Sequence, residues 1–287
     1  MPSSDDLGGR MKGYEVSTPA IVAPSRPIVI RIDGRAFHTY TRGLDRPFDA
    51  QLARDLDTAA AALCADVDGA QFAYLQSDEC SIVIPQRSTH AGEHWFAGKT
   101  QKIASVAASL FTAHFNRARG GDIAQFDARV IALPDPGEVR AYLCWRQADA
   151  RRNAVSMVAA AHFSHRQLHG VPTPQRREML RDVGVDVERD HDPRDLLGRL
   201  VFRETYVTEH TYVDRRTGTT RTADNVTRSR WVAAAAEVFG GLPAVGPLHT
   251  DAAAAVTGAV TVATPTDGAG PDTLSGGEDR AAQTPAI

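Results

Sequence analysis

Ile28, Ile30 and Ile32 alternate with Val29, Arg31 and Asp33, so Pro27–Asp33 reads as a strand that ends at Gly34. The segments after this strand restrict the fold further. Helical spacing of Leu52, Leu56, Ala59 and Leu63 predicts a helix from Asp49 to about Ala65. Two short runs, Gln71–Leu75 and Cys80–Ile84, are joined by Gln76-Ser77-Asp78-Glu79 and predict a β-hairpin with an acidic pair near its tip. A second helix is expected over residues 98–117 and a strand over Phe126–Leu133. Past the breaker Pro134-Asp135-Pro136-Gly137, a long helix is expected from about Glu138 to His169. Strand, helix, hairpin, helix, strand is the order of a split βαβ unit. The expected fold class is therefore α+β: a ferredoxin-like domain, an antiparallel sheet with helices on one face.

Beyond Gly170 the pattern predicts a short helix around Pro174–Arg181 and strands at Leu200–Thr208 and Thr211–Val213. An alanine-rich helix is expected at Trp231–Phe239, and residues 245–287 contain no aromatic residue. The expected division is one folded domain with a C-terminal strand/helix elaboration over 1–231, which the resemblance given below makes a palm-like catalytic domain, and a largely disordered Ala/Gly/Thr/Pro-rich acidic tail over 232–287. That tail holds six acids against one base, which leaves about +2 of the net charge of -3 on residues 1–231. This balance alone does not imply nucleic acid, although arginines cluster at 146–152, 176–181 and 215–230. No apolar run approaches the ~18 residues that span a bilayer, and the first residues lack a secretory pattern. Cys64, Cys80 and Cys144 have no metal or disulfide spacing, so the expected setting is cytoplasmic, away from membranes.

In a split βαβ sheet the two central strands are neighbours, which brings Asp33 to the hairpin tip at Asp78. Two close carboxylates repel unless a cation lies between them, and hard oxygen ligands select Mg²⁺ or Mn²⁺. Gly34, with no Cβ, lets the backbone approach such an ion and offer its carbonyl. Spacing alone leaves open a plainer reading, in which Asp33 ends a strand and Asp78 occupies a turn. Glu79 is adjacent to Asp78 and is expected to point to the other face.

Several segments carry a resemblance. Arg31-Ile32-Asp33-Gly34-Arg35-Ala36-Phe37-His38, Gln76-Ser77-Asp78-Glu79-Cys80-Ser81 and Tyr142-Leu143-Cys144-Trp145-Arg146-Gln147-Ala148-Asp149 resemble, in order and spacing, the tRNA-His guanylyltransferase superfamily. The opening Leu7-Gly8-Gly9-Arg10-Met11-Lys12-Gly13-Tyr14-Glu15 is similar to its bacterial and archaeal guanylyltransferase-like branch. The resemblance covers about residues 6–215. It implies a polymerase-type palm that adds nucleotides to the 5′ end of tRNA, after ATP or GTP activates a 5′-monophosphate. By motif match, Asp33, the Gly34 carbonyl and Asp78 would hold Mg²⁺, two ions per site. Asp33 and Asp78 would be catalytic. Gly34, Arg35, Ala36, Phe37, His38, Arg46, Ser77 and Asp78 would form the nucleotide site, with Phe37 also expected in the core. The implied partners are tRNA, ATP, GTP and other nucleoside triphosphates, with homotetramer assembly.

Two departures from the family pattern bear on specificity. Arg46 stands where the family commonly has a triphosphate-binding lysine, and a guanidinium holds phosphate with different geometry. Asp149-Ala150-Arg151-Arg152-Asn153-Ala154-Val155-Ser156-Met157 matches the eukaryotic histidine-tRNA signature only at Asn153. Its Arg-Asn is instead similar to the branch that repairs truncated tRNA against a template. Arg151, Arg152 and Asn153 are accordingly expected at the RNA 5′ end or a triphosphate. The competing readings are single G addition to histidine tRNA, a palm-type nucleotide cyclase, and a non-catalytic tRNA-binding module. Trp145 is expected in the core, and His162, His165 and His169 are expected at a surface or interface rather than on a metal.

Overall fold

The computed structural model describes residues 4–17, 20–87 and 92–239. In chain order these form α1 (Ser4–Ser17), β1 (Ile28–Gly34), the single turn α2 (Phe37–Tyr40), α3 (Ala50–Asp66), β2 (Phe72–Gln76), β3 (Glu79–Ile84), α4 (Thr100–Arg119) and β4 (Phe126–Ala132). After them come α5 (Pro136–His162), the short helices α6 (His165–Leu168), α7 (Thr173–Asp182), α8 (Val187–Asp190) and α9 (Pro193–Leu196), and the long strands β5 (Arg199–Val213) and β6 (Thr220–Ala235). The strands form one sheet in the order β4-β1-β3-β2-β5-β6, with every neighbouring pair antiparallel.

Alternation in β1 sorts its residues as the sequence predicts. Ile28, Ile30 and Ile32 join Leu75, Ile82 and Ile84 under α3 and α4, whose Leu56, Leu63, Ile103 and Phe111 close this core. Asp49 starts α3 by accepting the Leu52 N–H at 2.6 Å, a cap worth about 1 kcal/mol. The opposite sheet face, expected to be open, is covered. Val29, Tyr74, Val83 and Ile131 pack against Met11 of α1 and Val139, Tyr142 and Leu143 of α5. The palm expectation holds, with helices on both faces: the even positions of β1 and β3 are apolar, and the odd ones pair Val29 and Val83 with buried Arg31, Glu79 and Ser81 that bond to one another or to α1 and α5.

Three other expectations change. The long helix ends at His162: Phe163 is extended, and Ser164 starts α6 with a capping box to Gln167. The two strands foreseen after Leu200 are one strand, β5, with an irregularity between Thr208 and His210. The alanine-rich helix at Trp231–Phe239 is absent. Trp231–Ala235 instead end β6, paired residue by residue with Arg203–Arg199. Alanine favours helix only weakly, and the edge of β5 that faces away from β2 offers a full ladder of backbone partners. The boundary foreseen at 231 thus falls inside a strand, and Phe239 beyond it is buried against Tyr74. The remainder of the acidic tail lies outside the described residues. Past Phe202, β5 leaves β2 and pairs with β6 alone as a two-stranded ribbon.

Candidate active site

The β2–β3 turn has two residues, Ser77 and Asp78, and Ser77 takes a left-handed φ of 50°. Because Ile32 pairs with Cys80, the turn sits beside the end of β1. The Ser77 hydroxyl donates to Asp78 Oδ1 at 3.0 Å, and the Gly34 N–H donates to the same carboxylate. Gly34 is required by space. A Cβ there would fall 2.7 Å from Asp78 Oδ2 and 2.2 Å from the Phe37 ring. Burial pushes the Asp78 carboxyl above the ordinary carboxylate range, and the neighbouring Asp33 charge pushes it further. The two acids therefore face one another closely enough to repel.

Both open onto a cleft of about 630 Å³ at this end of the sheet. Gly34, Ala36, Phe37, His38, Arg46, Ser77 and Asn153 line it with Asp33 and Asp78. Phe37 also packs into the core, at 6% exposure, beside Phe126 and Tyr40. Asn153 Nδ2 donates to Gln76 Oε1 at 3.5 Å, a long contact. Ala36 and Ser77 are non-glycine residues in the left-handed region that both line the cleft, and strain of this kind gathers at functional sites.

Three expected residues lie elsewhere. Arg35 Nη1 donates to Gln125 Oε1 at 2.6 Å and does not line the cleft. Arg152 Nη2 donates to Asp149 Oδ1 at 2.8 Å on the exposed side of α5. Arg151 borders a separate hollow of about 270 Å³ with Arg177 and Glu188. On a helix, Arg151 and Arg152 are turned roughly 200° and 100° from Asn153, so the three cannot share one wall.

Glu79 lies on the α5 side of the sheet, gripped by Arg146 through two bonds of 2.7 and 2.6 Å. Burial pushes its carboxyl up while Arg146 and Arg31 pull it down. Arg146 also bonds Asp149 and stacks over the half-buried Trp145 at 4.6 Å. The segment around Trp145 thus ties α5 to the strand that carries the hairpin turn. His162, His165 and His169 fall on both sides of the helix break, and among the described residues no three His, Cys, Asp or Glu side chains form a metal-binding group.

The sequence reading missed Arg194, Asp195 and Arg199 on the cleft wall. Arg199 Nε and Arg194 Nη2 both donate to Asp57 of α3, at 2.5 and 3.0 Å. These partners stand 142 and 137 residues from Asp57 in the chain, beyond the reach of any local pattern.

Residues 8–134 match the family profile described as "Thg1: tRNAHis guanylyltransferase". The tRNA(His) guanylyltransferase of Schizosaccharomyces pombe is 34% identical over 176 residues, covering 55% of this chain and 66% of that protein. The chain spans 48% of the length of the Drosophila melanogaster "Probable tRNA(His) guanylyltransferase" and 66% of the Schizosaccharomyces pombe one. A solved structure, "Bacterial tRNA(HIS) Guanylyltransferase (Thg1)-Like Protein in complex with ATP", aligns with a TM-score of 0.63 and 33% identity over 79% of this chain and 91% of that one. The corresponding complex with GTP gives 0.62 and 32%, over 82% and 94%. Shared motif order, a shared palm fold and this coverage lead to one assignment: the chain belongs to the tRNAHis guanylyltransferase family.

Proposed function

We propose that the chain is a Mg²⁺-dependent 3′–5′ nucleotidyltransferase that extends the 5′ end of tRNA after activation by ATP or GTP. Its job on this reading is templated repair of truncated 5′ ends. One observation carries the chemistry: half-buried Asp78 and Asp33 meet at the edge of a nucleotide-sized cleft, where burial first and the Asp33 charge second push the Asp78 carboxyl up. Such a pair fits a divalent cation held by hard oxygens, Asp33, Asp78 and the Gly34 carbonyl, with other positions left for phosphates. Bound there, Mg²⁺ would lower the pKa of an attacking hydroxyl and offset charge on attacking and leaving oxygens.

The chain's own groups would do the rest. Ser77 and the Gly34 N–H hold the Asp78 carboxylate in one orientation. Arg46 offers a guanidinium to a triphosphate and Asn153 an amide to the RNA 5′ phosphate. Phe48, Leu52, Leu56 and Met157 give the cleft an apolar wall. The bacterial relatives solved with ATP and with GTP support a nucleotide in this cleft. Arg152-Asn153, in place of the histidine-tRNA signature, supports repair over fixed G addition. A homotetramer in the cytoplasm belongs to the same reading. No helix among the described residues is long and apolar enough to cross a membrane.

The test offers 5′-monophosphorylated tRNA, full-length and one nucleotide short, with Mg²⁺ and each nucleoside triphosphate in turn. Extension of the short tRNA only by the base that pairs with the opposite strand is expected. Addition of G to full-length histidine tRNA alone would replace repair with fixed addition, and a product from ATP without RNA would replace both with a cyclase.

A further inference from the structure

Leu197 and Gly198 form the corner between α9 and β5, and the cleft wall runs through it. Arg194 and Asp195 precede the corner and Arg199 follows it. Helix α9 is a single turn, too short to hold itself in water, and its last carbonyls need partners from elsewhere. The Leu197 carbonyl accepts from the Tyr74 hydroxyl at 2.8 Å and from Gln147 Nε2 at 3.2 Å. The Gly198 carbonyl accepts the Ala236 N–H at 2.9 Å. The corner is also pressed onto β2. At φ +84°, a Cβ on Gly198 would stand 2.4 Å from the Leu75 carbonyl oxygen and 2.7 Å from the Tyr74 hydroxyl. Leu75 leads directly into Gln76 and the Ser77-Asp78 turn, so the corner bears on the strand that carries the acid.

Much of what holds this corner lies outside the sheet. β6 ends at Ala235, and residues 236–239 leave its ladder to dock through Phe239 on Tyr74 of β2. Gln147 of α5, only 3% exposed, uses its whole amide here. Besides reaching Leu197, Nε2 donates to the Glu237 carbonyl at 2.7 Å, and Oε1 accepts the Phe239 N–H at 2.9 Å. Arg140 Nε adds a longer bond to the Phe239 carbonyl at 3.4 Å. One glutamine therefore binds the C-terminal segment and the cleft corner together. Val238, 46% exposed, marks the segment as a surface strap rather than a core strand. A strap held by one ring and a few backbone bonds can open without unfolding the sheet.

We propose that residues 236–239 are a strap, buckled by Gln147, that keeps the cleft wall in the form that receives a nucleotide; Gln147 is then a positioning residue for nucleotide binding. This rests on the nucleotide cleft proposed above and adds to it a dependence on the C-terminal segment. Such coupling is reciprocal: a docked strap that favours nucleotide requires that nucleotide favour the docked strap. The first measurement is amide hydrogen exchange in the unaltered full chain with Mg²⁺, with and without saturating ATP or GTP, binding being followed in parallel. Exchange at Ala236 and Phe239 is expected to slow at least about fivefold more than at residues 130–132, the end of β4 away from the cleft. No slowing at the strap overturns the proposal. Equal slowing at both places also overturns it, because that marks stabilisation of the whole fold by the ligand. A chain that binds neither nucleotide removes the cleft reading itself, and the strap's role with it. The second measurement uses Gln147→Met, which keeps the length of the side chain and loses all three bonds. In tRNA extension its KM for the nucleoside triphosphate should rise about tenfold while kcat changes less than about twofold, since a displaced wall weakens ground state and transition state alike. A merely structural role gives the opposite pattern and overturns the proposal: a smaller folded fraction lowers apparent kcat and leaves KM as it was. Should the variant not fold, the exchange measurement on the unaltered chain decides alone.

Discussion

Asp78 is a residue whose stability cost and chemical use pull in opposite directions. Its carboxyl is raised, so without a cation its contribution to stability is present below the ordinary carboxylate pKa and is lost as pH rises through the raised value. Asp78→Asn removes that charge while keeping an oxygen for the Gly34 N–H. At neutral pH without metal, Asp78→Asn is expected to melt about 2–4 °C higher than wild type. The same variant should lose at least about a hundredfold in Mg²⁺-dependent nucleotide addition. Wild-type activity should fall on the acid side at a pH above the usual carboxylate range, since a cation needs Asp78 ionised. A melting temperature that drops on substitution, with activity retained, would contradict both statements. Gly34→Ala places a methyl group into Phe37 and the Asp78 carboxylate, and should abolish addition while lowering the melting temperature. Strand alternation and a hairpin make the meeting of Asp33, Gly34 and Asp78 plausible from sequence, but only the family resemblance of their motifs singles them out. Arg199 could not be picked out, because its meaning depends on Asp57, a helix residue with no pattern of its own.

Among the elements, α5 bears the most dissimilar duties. Its first half closes one sheet face through Val139, Tyr142 and Leu143, its middle lines the cleft at Asn153, and its last turns pack with α7, α8 and α9. The hinge between these duties is the buried pair of Arg146 and Glu79. Breaking it from one side leaves a buried charge alone, so Arg146→Met should cost about 3–5 kcal/mol in a denaturant titration. Arg146→Met combined with Glu79→Gln should recover much of that loss. If the double variant is no better than the single one, the pair is not what joins α5 to β3. At β6 the legible signal was misleading: four alanines in a row favour a helix, yet the free edge of β5 outweighs that preference. Phe239, four residues past the end of that strand, packs on Tyr74 at 5.1 Å between ring centroids. Phe239→Ala should therefore cost about 3–5 kcal/mol, a loss no residue of a solvated tail would produce.

For the whole molecule, the sheet divides into a part buried on both faces and a ribbon that touches little except itself. Past Phe202 and before Val232 the β5–β6 ribbon has no third strand, and two strands alone are marginally stable in water. Replacing residues 204–230 by a short turn should leave circular dichroism of the remaining sheet and its melting temperature within about 2–4 °C of wild type. A collapse of the sheet would show that the ribbon stabilises it. The core order of strands and helices was legible because each element had its own periodicity. The covering of the second sheet face was not, since α5 interleaves apolar residues with arginines and aspartates and shows no clean apolar stripe.

The two-residue turn at Ser77-Asp78 has a consequence for genetic change. Its length sets the register of β2 on β3, and through β3 the position of the acid beside β1. One extra codon between Gln76 and Glu79 would leave every side chain of the site in the protein, yet it would move the acid away from its neighbour or shift the strand by half a pleat. Such an insertion should be as damaging as deleting the carboxylate. A lineage can thus exchange many cleft residues while its hairpin tip stays closed to any change in length.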